Sequence, residues 1–156
     1  MLASDVMTTD FFILDPDVPV YQALEPVWER RRRELPVVEE GRFIGVLTMR
    51  ELIHRALPSY IRDDRHFANL TFAPDLHQIT DRMEEMGRST VREAMSREVR
   101  TVTPDTSLLA VATALIRDEK KETRNVWVVD DEHKLVGQIS EWEVLRHVFH
   151  HLDFEG

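Results

Sequence analysis

The sequence predicts a mixed α/β fold in which two copies of one β-α-β-β-α unit pack through their sheets. Three observations predict it. The order loop, strand, helix, strand, turn, strand, helix runs through the chain twice, and the apolar residues recur at matching positions in both runs. The length differences between the runs fall only where connections belong, which is where a duplicated unit tolerates them.

Taken in order, Met7 and Thr8 align with Met95 and Ser96, Ile13 and Leu14 with Thr101 and Val102, and Pro16 and Asp17 with Pro104 and Asp105. A short strand is expected over 11–14. A helix over 18–33 follows, because Val20, Leu24, Val27 and Trp28 form an i, i+4, i+7, i+8 apolar stripe that Leu108, Ala112, Leu115 and Ile116 repeat. Pro26 sits inside that helix and should kink or break it, since it removes an intrahelical hydrogen bond. Strands over 35–38 and 43–47 make a hairpin about Glu39, Glu40 and Gly41, matched later by Val126, Val128 and Val129 and the turn through Asp130 and Asp131. Gly45, Thr48 and Glu51 then align with Gly137, Ser140 and Glu143, and a helix over 49–57 closes the first copy.

Neither copy has enough residues to cover both faces of its sheet, so the two should pack against each other about a pseudo-twofold axis. The first copy is expected over 1–57, a connector over 58–89 and the second copy over 90–156. The connector carries Tyr60, Phe67, Leu70 and Phe72, too apolar for a free linker, and then a helix over 76–86 that Gly87 should end.

At 156 residues, 42% hydrophobic and 31% charged, the composition is that of a soluble globular chain, and no run is long enough to span a membrane. Its N-terminal residues lack the basic and then apolar pattern of a secretory signal, so a cytoplasmic location is expected. Without cysteine there is no disulfide, thiolate catalysis or cysteine-bound zinc. A net charge of −9 argues against binding a phosphate backbone. The run from Arg30 through Arg33 is the local exception: either a solvated helix end that suits the helix dipole or a contact for a phosphate or an acidic partner. No Gly-rich phosphate loop, Gly-x-Ser-x-Gly elbow or cysteine nucleophile is present, so an enzyme is not expected.

Val6, Met7 and Thr8, then Pro16 and Asp17, Leu35 through Val38, and Gly45 through Thr48 with an acid three residues on together resemble a cystathionine-β-synthase (CBS) domain. The second copy repeats the pattern as Ala94 to Ser96, Pro104 to Thr106, Val126 to Val129 and Gly137 to Ser140, so the chain resembles a tandem CBS pair, or Bateman module. The resemblance implies a sensor rather than a catalyst. Its clefts would take AMP, ADP or ATP, or S-adenosylmethionine, as a regulatory ligand, with no catalytic cofactor and no metal. The hydroxyl after the Gly-containing strand would contact phosphate, and the acid three residues later would hold the ribose. The first strand and the hydrophobic-Pro-Val segment would surround the base. Carried onto this sequence, these are Thr48, Glu51, Phe12, Ile13, Leu35, Pro36 and Val37 in the first copy, and Ser140, Glu143, Arg100, Thr101, Val126, Trp127 and Val128 in the second.

The residues themselves leave alternatives open. Both acids are Glu where the family usually has Asp, and Thr48 with Glu51, like Ser140 with Glu143, also reads as a capping box that starts a helix. Trp127 stands where the first copy has Pro36, and would either stack on a base or fill the second cleft. Arg124 is a phosphate candidate that, with Trp127, makes the two clefts unequal; if only one is used, its phosphate end is expected near Ser140 and Arg124. His147, His150 and His151 read either as a solvated helix end or as metal ligands, with 147 and 151 on one face.

Two functions follow: a regulatory module that binds an adenosine nucleotide and signals to a partner protein, or a ligand-free CBS pair that dimerises or scaffolds. A homodimer is implied by the resemblance in either case. Apolar Val144, Leu145, Val148 and Phe149 fit a helix that buries one face in its own core or a partner.

Overall fold

The computed structural model describes residues 1–58, 76–117 and 123–154. The first repeat and connector contain α1 (Ala3–Val6), α2 (Val20–Leu24), a 3₁₀ segment (Glu25–Arg30), β1 (Glu34–Glu39), β2 (Arg42–Thr48), α3 (Met49–Ala56) and α4 (Leu76–Arg88). After them come α5 (Val91–Ala94), β3 (Thr101–Val102), α6 (Leu108–Arg117), β4 (Val126–Val129), β5 (Leu135–Ile139) and α7 (Glu141–His150). The fold is mixed α/β with two small sheets, as the repeat pattern implies.

β1 and β2 form an antiparallel hairpin with a bulge at Val37 and Val38. Its turn residues Glu40 (φ 50°) and Gly41 (φ 80°) both have positive φ, as a two-residue turn matched to strand twist requires. In the β4–β5 hairpin the Asp130 carboxylate organises the turn, accepting from the Glu132 and Lys134 amides at 2.9 and 2.8 Å. β3 adds to β4 in parallel. Its counterpart in the first copy, expected over 11–14, contracts to one bridge in which Leu14 N donates to Pro36 O at 2.8 Å and Val38 N to Leu14 O at 3.3 Å. Just beyond it, Asp15 accepts from the Asp17 amide at 2.8 Å, and this local turn ends the pairing.

The helix expected over 18–33 is α-helical only to Leu24. Pro26, with no amide to donate, lies at the start of a 3₁₀ segment that stops at Arg31 in the left-handed region (φ 50°). α6, the proline-free equivalent, stays α-helical throughout. The connector helix runs to Arg88, past the expected stop at Gly87, which lies beside Tyr21 of α2: a Cβ there would meet Tyr21 Cβ at 3.6 Å, an ordinary contact. Tyr60, Phe67, Leu70 and Phe72 lie outside the described residues.

The four-residue helices α1 and α5 each dock on the opposite repeat. Ala3 and Val6 of α1 pack with Val111, Leu115, Val126, Val128 and Ile139 of the second repeat. Val91, Ala94 and Met95 pack with Leu14, Val20, Leu35, Val37 and Leu47 of the first. The strand edges are exchanged in the same sense. Thr8 and Gln138 trade two backbone hydrogen bonds, both 2.9 Å, while Val46 and Ser96 trade two of 3.0 and 2.8 Å. A third cluster, Phe43, Val46, Trp127 and Val129 with Phe11, Val99 and Leu135, fills the space between the two sheets. Among the described residues no helix is long and apolar enough to cross a membrane.

The exchange needs glycine at two places. A Cβ at Gly45 would lie 2.6 Å from the Ser96 carbonyl oxygen and 2.9 Å from Met95 Sδ, and one at Gly137 would lie 2.4 Å from Met7 Sδ. The obstacle at Gly45 is backbone, 2.6 Å away and itself hydrogen-bonded to Val46, whereas at Gly137 Met7 Sδ and Cγ can rotate away and the fixed Met7 Cβ lies farther off, at 2.9 Å. Gly45→Ala is therefore expected to destabilise the protein by about 1–3 kcal/mol, the usual cost of overpacking, and Gly137→Ala by less. Chemical denaturation of the two variants checks the ranking; equal losses would contradict it.

Candidate functional site

Thr48 and Ser140 end the Gly-containing strands and cap the helices that follow. Thr48 is buried, and its Oγ1 accepts from Glu51 N at 3.1 Å. Ser140 Oγ accepts from Trp142 N at 3.2 Å. The two glutamates then diverge. Glu143 Oε2 accepts from the Ser140 amide at 2.7 Å and from the Ser140 hydroxyl, closing a capping box. Glu51 instead accepts from Arg55 Nε at 2.8 Å, with His54 Nδ1 3.7 Å from its other oxygen.

A cleft of about 370 Å³ opens along α7, lined by Glu143, Arg146, His147 and His150 on the helix and by Asp5 through Thr8 opposite. The i, i+3, i+4, i+7 spacing places the four helix residues on one face. The opposite wall belongs to the first repeat, so the exchange of strand edges makes this cleft bipartite. Its charge is mixed, two carboxylates with one guanidinium and two imidazoles, and its volume is at the small end of ligand pockets, which run from about 300 to 1,000 Å³.

Of the residues expected at the second cleft, Glu143 lines this space and Ser140 caps α7 at its end. Arg100, Thr101, Arg124, Val126, Trp127 and Val128 lie on or beside β3 and β4. Thr101 pairs with Trp127, and Arg100 Nη1 donates to Leu115 O at 3.1 Å. Val126 and Val128 face the α6 core. Trp127 faces the other sheet and is fully buried, stacked on Phe43 (centroids 5.9 Å apart) and edge-on to Phe11 (6.3 Å). Such aromatic pairs contribute about 0.5–1.5 kcal/mol beyond their area, so the ring fills the space between the sheets. In the first repeat Leu35 and Val37 are core residues, and Pro36 is buried beside Val46. Phe12 is half-buried under the Arg30 guanidinium, 5.7 Å from its ring centroid. Ile13 is exposed and lines a separate acidic hollow with Asp15, Asp17, Glu39 and Glu40, at the hairpin-turn end of β1 and away from Thr48.

Two features were not read from the sequence. One is the group of Arg146, His147 and His150 facing Met7 and Thr8. Its helical half is visible as E-x-x-R-H-x-x-H, whereas its other wall comes from a long-range exchange that leaves no local signal. His147 and His151 do share a face, as their spacing implies: their rings lie 4.5 Å apart, tilted by 35°, and His151 Nδ1 lies 2.8 Å from His147 O. Among the described residues no three His, Asp or Glu side chains are arranged to hold a metal ion. The other feature is Glu34. This buried residue opens β1 and accepts hydrogen bonds from the Arg124 amide and, at 3.2 Å, the Asn125 amide of the other repeat. The phosphate candidate Arg124 thus already has a carboxylate on its backbone amide.

A model of the CBS domain matches residues 3–57 and 91–150. The chain belongs to the CBS domain family. It is 22% identical to CBSX2 from Arabidopsis thaliana, a CBS-pair protein whose crystal structure it overlays with a TM-score of 0.71, covering 96% of this chain and 94% of that one. A structure of CBSX2 in complex with AMP overlays with a TM-score of 0.69 at 21% identity, covering 96% of both chains. The inosine-5'-monophosphate dehydrogenase of Methanocaldococcus jannaschii is 38% identical over 63 residues, which is 39% of this chain and only 13% of that enzyme. The α7 cleft thus lies between the two CBS repeats of a tandem pair.

Burial raises the Glu34 carboxyl above the ordinary carboxylate range, more strongly than the two backbone amides lower it; nearby Glu141 adds to the rise and Arg100 opposes it. A group whose native pKa is raised binds its proton more tightly in the folded state. Its contribution favours folding at low pH and is lost as pH rises from the ordinary carboxylate range through the raised value. Glu34→Gln is expected to remove this downward slope of stability with pH. Denaturation midpoints across mildly acidic to neutral pH check it, and an unchanged slope would count against the assignment.

Proposed function

We propose that the chain is a non-catalytic regulatory module that binds an adenosine nucleotide in the α7 cleft and passes the change in repeat packing to a partner protein. The observation that carries this reading is the bipartite cleft itself. Glu143, Arg146, His147 and His150 come from one repeat and Met7 and Thr8 from the other, and the guanidinium and imidazoles are groups suited to phosphate. CBSX2, which shares the fold, is known in complex with AMP, and this supports the choice of ligand.

A second reading, a ligand-free pair that scaffolds or dimerises, is favoured by the state of the glutamates: Glu51 is held by Arg55 and Glu143 by its own cap. Isothermal titration with AMP, ADP, ATP and S-adenosylmethionine separates the two. The sensor reading expects one of them to bind, and expects Arg146→Ala to weaken it about ten- to a hundred-fold, the effect of losing one charge-assisted hydrogen bond. Silence from all four with folded protein would leave the scaffold.

Both readings include a homodimer through the outer helices. Leu109 and Ile116 of α6 are 79% and 78% exposed, and Leu145 and Phe149 of α7 stand beside them, about half exposed. The first repeat repeats the feature with Tyr21, Trp28 and Ile53. So much apolar surface on adjacent helices fits a second copy of the same face. Sedimentation velocity should find a dimer that Ile116→Glu converts to monomer; a monomeric wild type would remove the dimer from both readings.

A further inference from the structure

The pseudo-twofold gives every group of the α7 cleft a counterpart. Glu143, Arg146 and His147 correspond to Glu51, His54 and Arg55, while Asp5, Met7 and Thr8 correspond to Glu93, Met95 and Ser96. The backbone around the counterparts is alike, since α1 and α5 dock the same way and each methionine lies on the other repeat's glycine. One difference in side-chain length then matters. Arg55 Nε donates to Glu51 Oε1 at 2.8 Å and Arg55 Nη1 donates to the Glu93 carbonyl at 2.8 Å, so a single guanidinium ties α3 to α5. His147 stands at that place in the second repeat with a shorter side chain. It packs against His151, the two rings tilted by 35°, and the walls there line a cleft of about 370 Å³.

We infer that Arg55 closes the first cleft from within, so that each chain takes one mononucleotide, in the second cleft, and that the Arg55 and His147 pair sets which cleft is used. The inference rests on the nucleotide reading above. Its chemistry is competition. A ligand entering the first cleft must take Glu51 away from Arg55 and displace a guanidinium already bonded to both walls. Among the described residues the Glu143 carboxylate in the second cleft is bonded only to its own helix cap, and both bonds fall on Oε2.

Titration of the full chain with AMP tests this through stoichiometry. Wild type is expected to bind one AMP per chain. Arg55→Ala and Arg55→His, the latter copying the second cleft, are each expected to bind two, with circular dichroism showing both variants folded. His147→Arg, which copies the first cleft, should weaken the wild-type site at least tenfold. Two AMP per wild-type chain, or one per chain in both Arg55 variants, would overturn the plug and leave the nucleotide reading intact. Reduced binding on removing Arg55 would also overturn it, by making Arg55 a ligand contact. Binding by the Arg55 variants but not by wild type would uphold the plug and remove the second-cleft reading. No AMP bound by any of the four proteins would overturn the inference, and silence from ADP, ATP and S-adenosylmethionine as well would remove the nucleotide reading with it.

Discussion

Each repeat lends the other a strand edge and a short helix, and the rest of the molecule depends on that loan. Met7 lies on Gly137 and Met95 on Gly45, at distances that leave no room for a Cβ. The backbone bonds formed there are few, and each is worth only about 0.5–1.5 kcal/mol net. The larger effect is apolar. Ala3 and Val6 complete one core, while Val91, Ala94 and Met95 complete the other. A separated repeat would expose both its borrowed and its lent surfaces, so the two should fold as one cooperative body. Ion pairs reinforce the exchange without defining it: Arg92 on α5 reaches Asp17 at 3.1 Å and Glu39, all at the surface, where such contacts add little.

Symmetry of backbone then makes asymmetry of side chains informative. Where the first repeat has Pro36, the second has Trp127, and the larger ring supplies much of the packing between the sheets. Glu34 is aligned with Asn125, and the carboxylate of one sits on the amide of the other, so these equivalent positions meet across the pseudo-axis. A buried carboxylate held mainly by backbone donors gives weak net stability and strong geometric specification, since any change in repeat angle leaves it unsatisfied.

Much of this was legible in the sequence because local rules carried it. The strands, hairpins and caps follow from alternation, turn chemistry and the Thr48 and Ser140 positions. The duplication itself was visible as a matched pattern. Two kinds of feature were not legible. α1 and α5 have four residues each, too short for any periodicity to show. Their docking on the opposite repeat is a long-range choice that no window of sequence contains. The apolar stripes also misled at one point: Trp28 and Ile116 fit the helical period, yet both are exposed, because a wide stripe can serve a core and a second surface at once. The split between the glutamates was within reach, since Arg55 stands four residues after Glu51 and His147 four after Glu143, the spacing at which a helix pairs opposite charges.

The exchange also explains how a ligand in the α7 cleft could be felt elsewhere. Such a ligand touches Met7 and Thr8 on one side and α7 on the other, so it acts on the same strand edge that joins the repeats. Binding alone does nothing; only a difference in affinity between two packings shifts their populations. A ligand spanning both walls has the means for that difference, because a change in repeat angle alters the gap between Thr8 and Glu143. α7 packs on α6, and both carry the exposed apolar face. A shift of α7 therefore moves the surface a partner would read, without any further relay through the core.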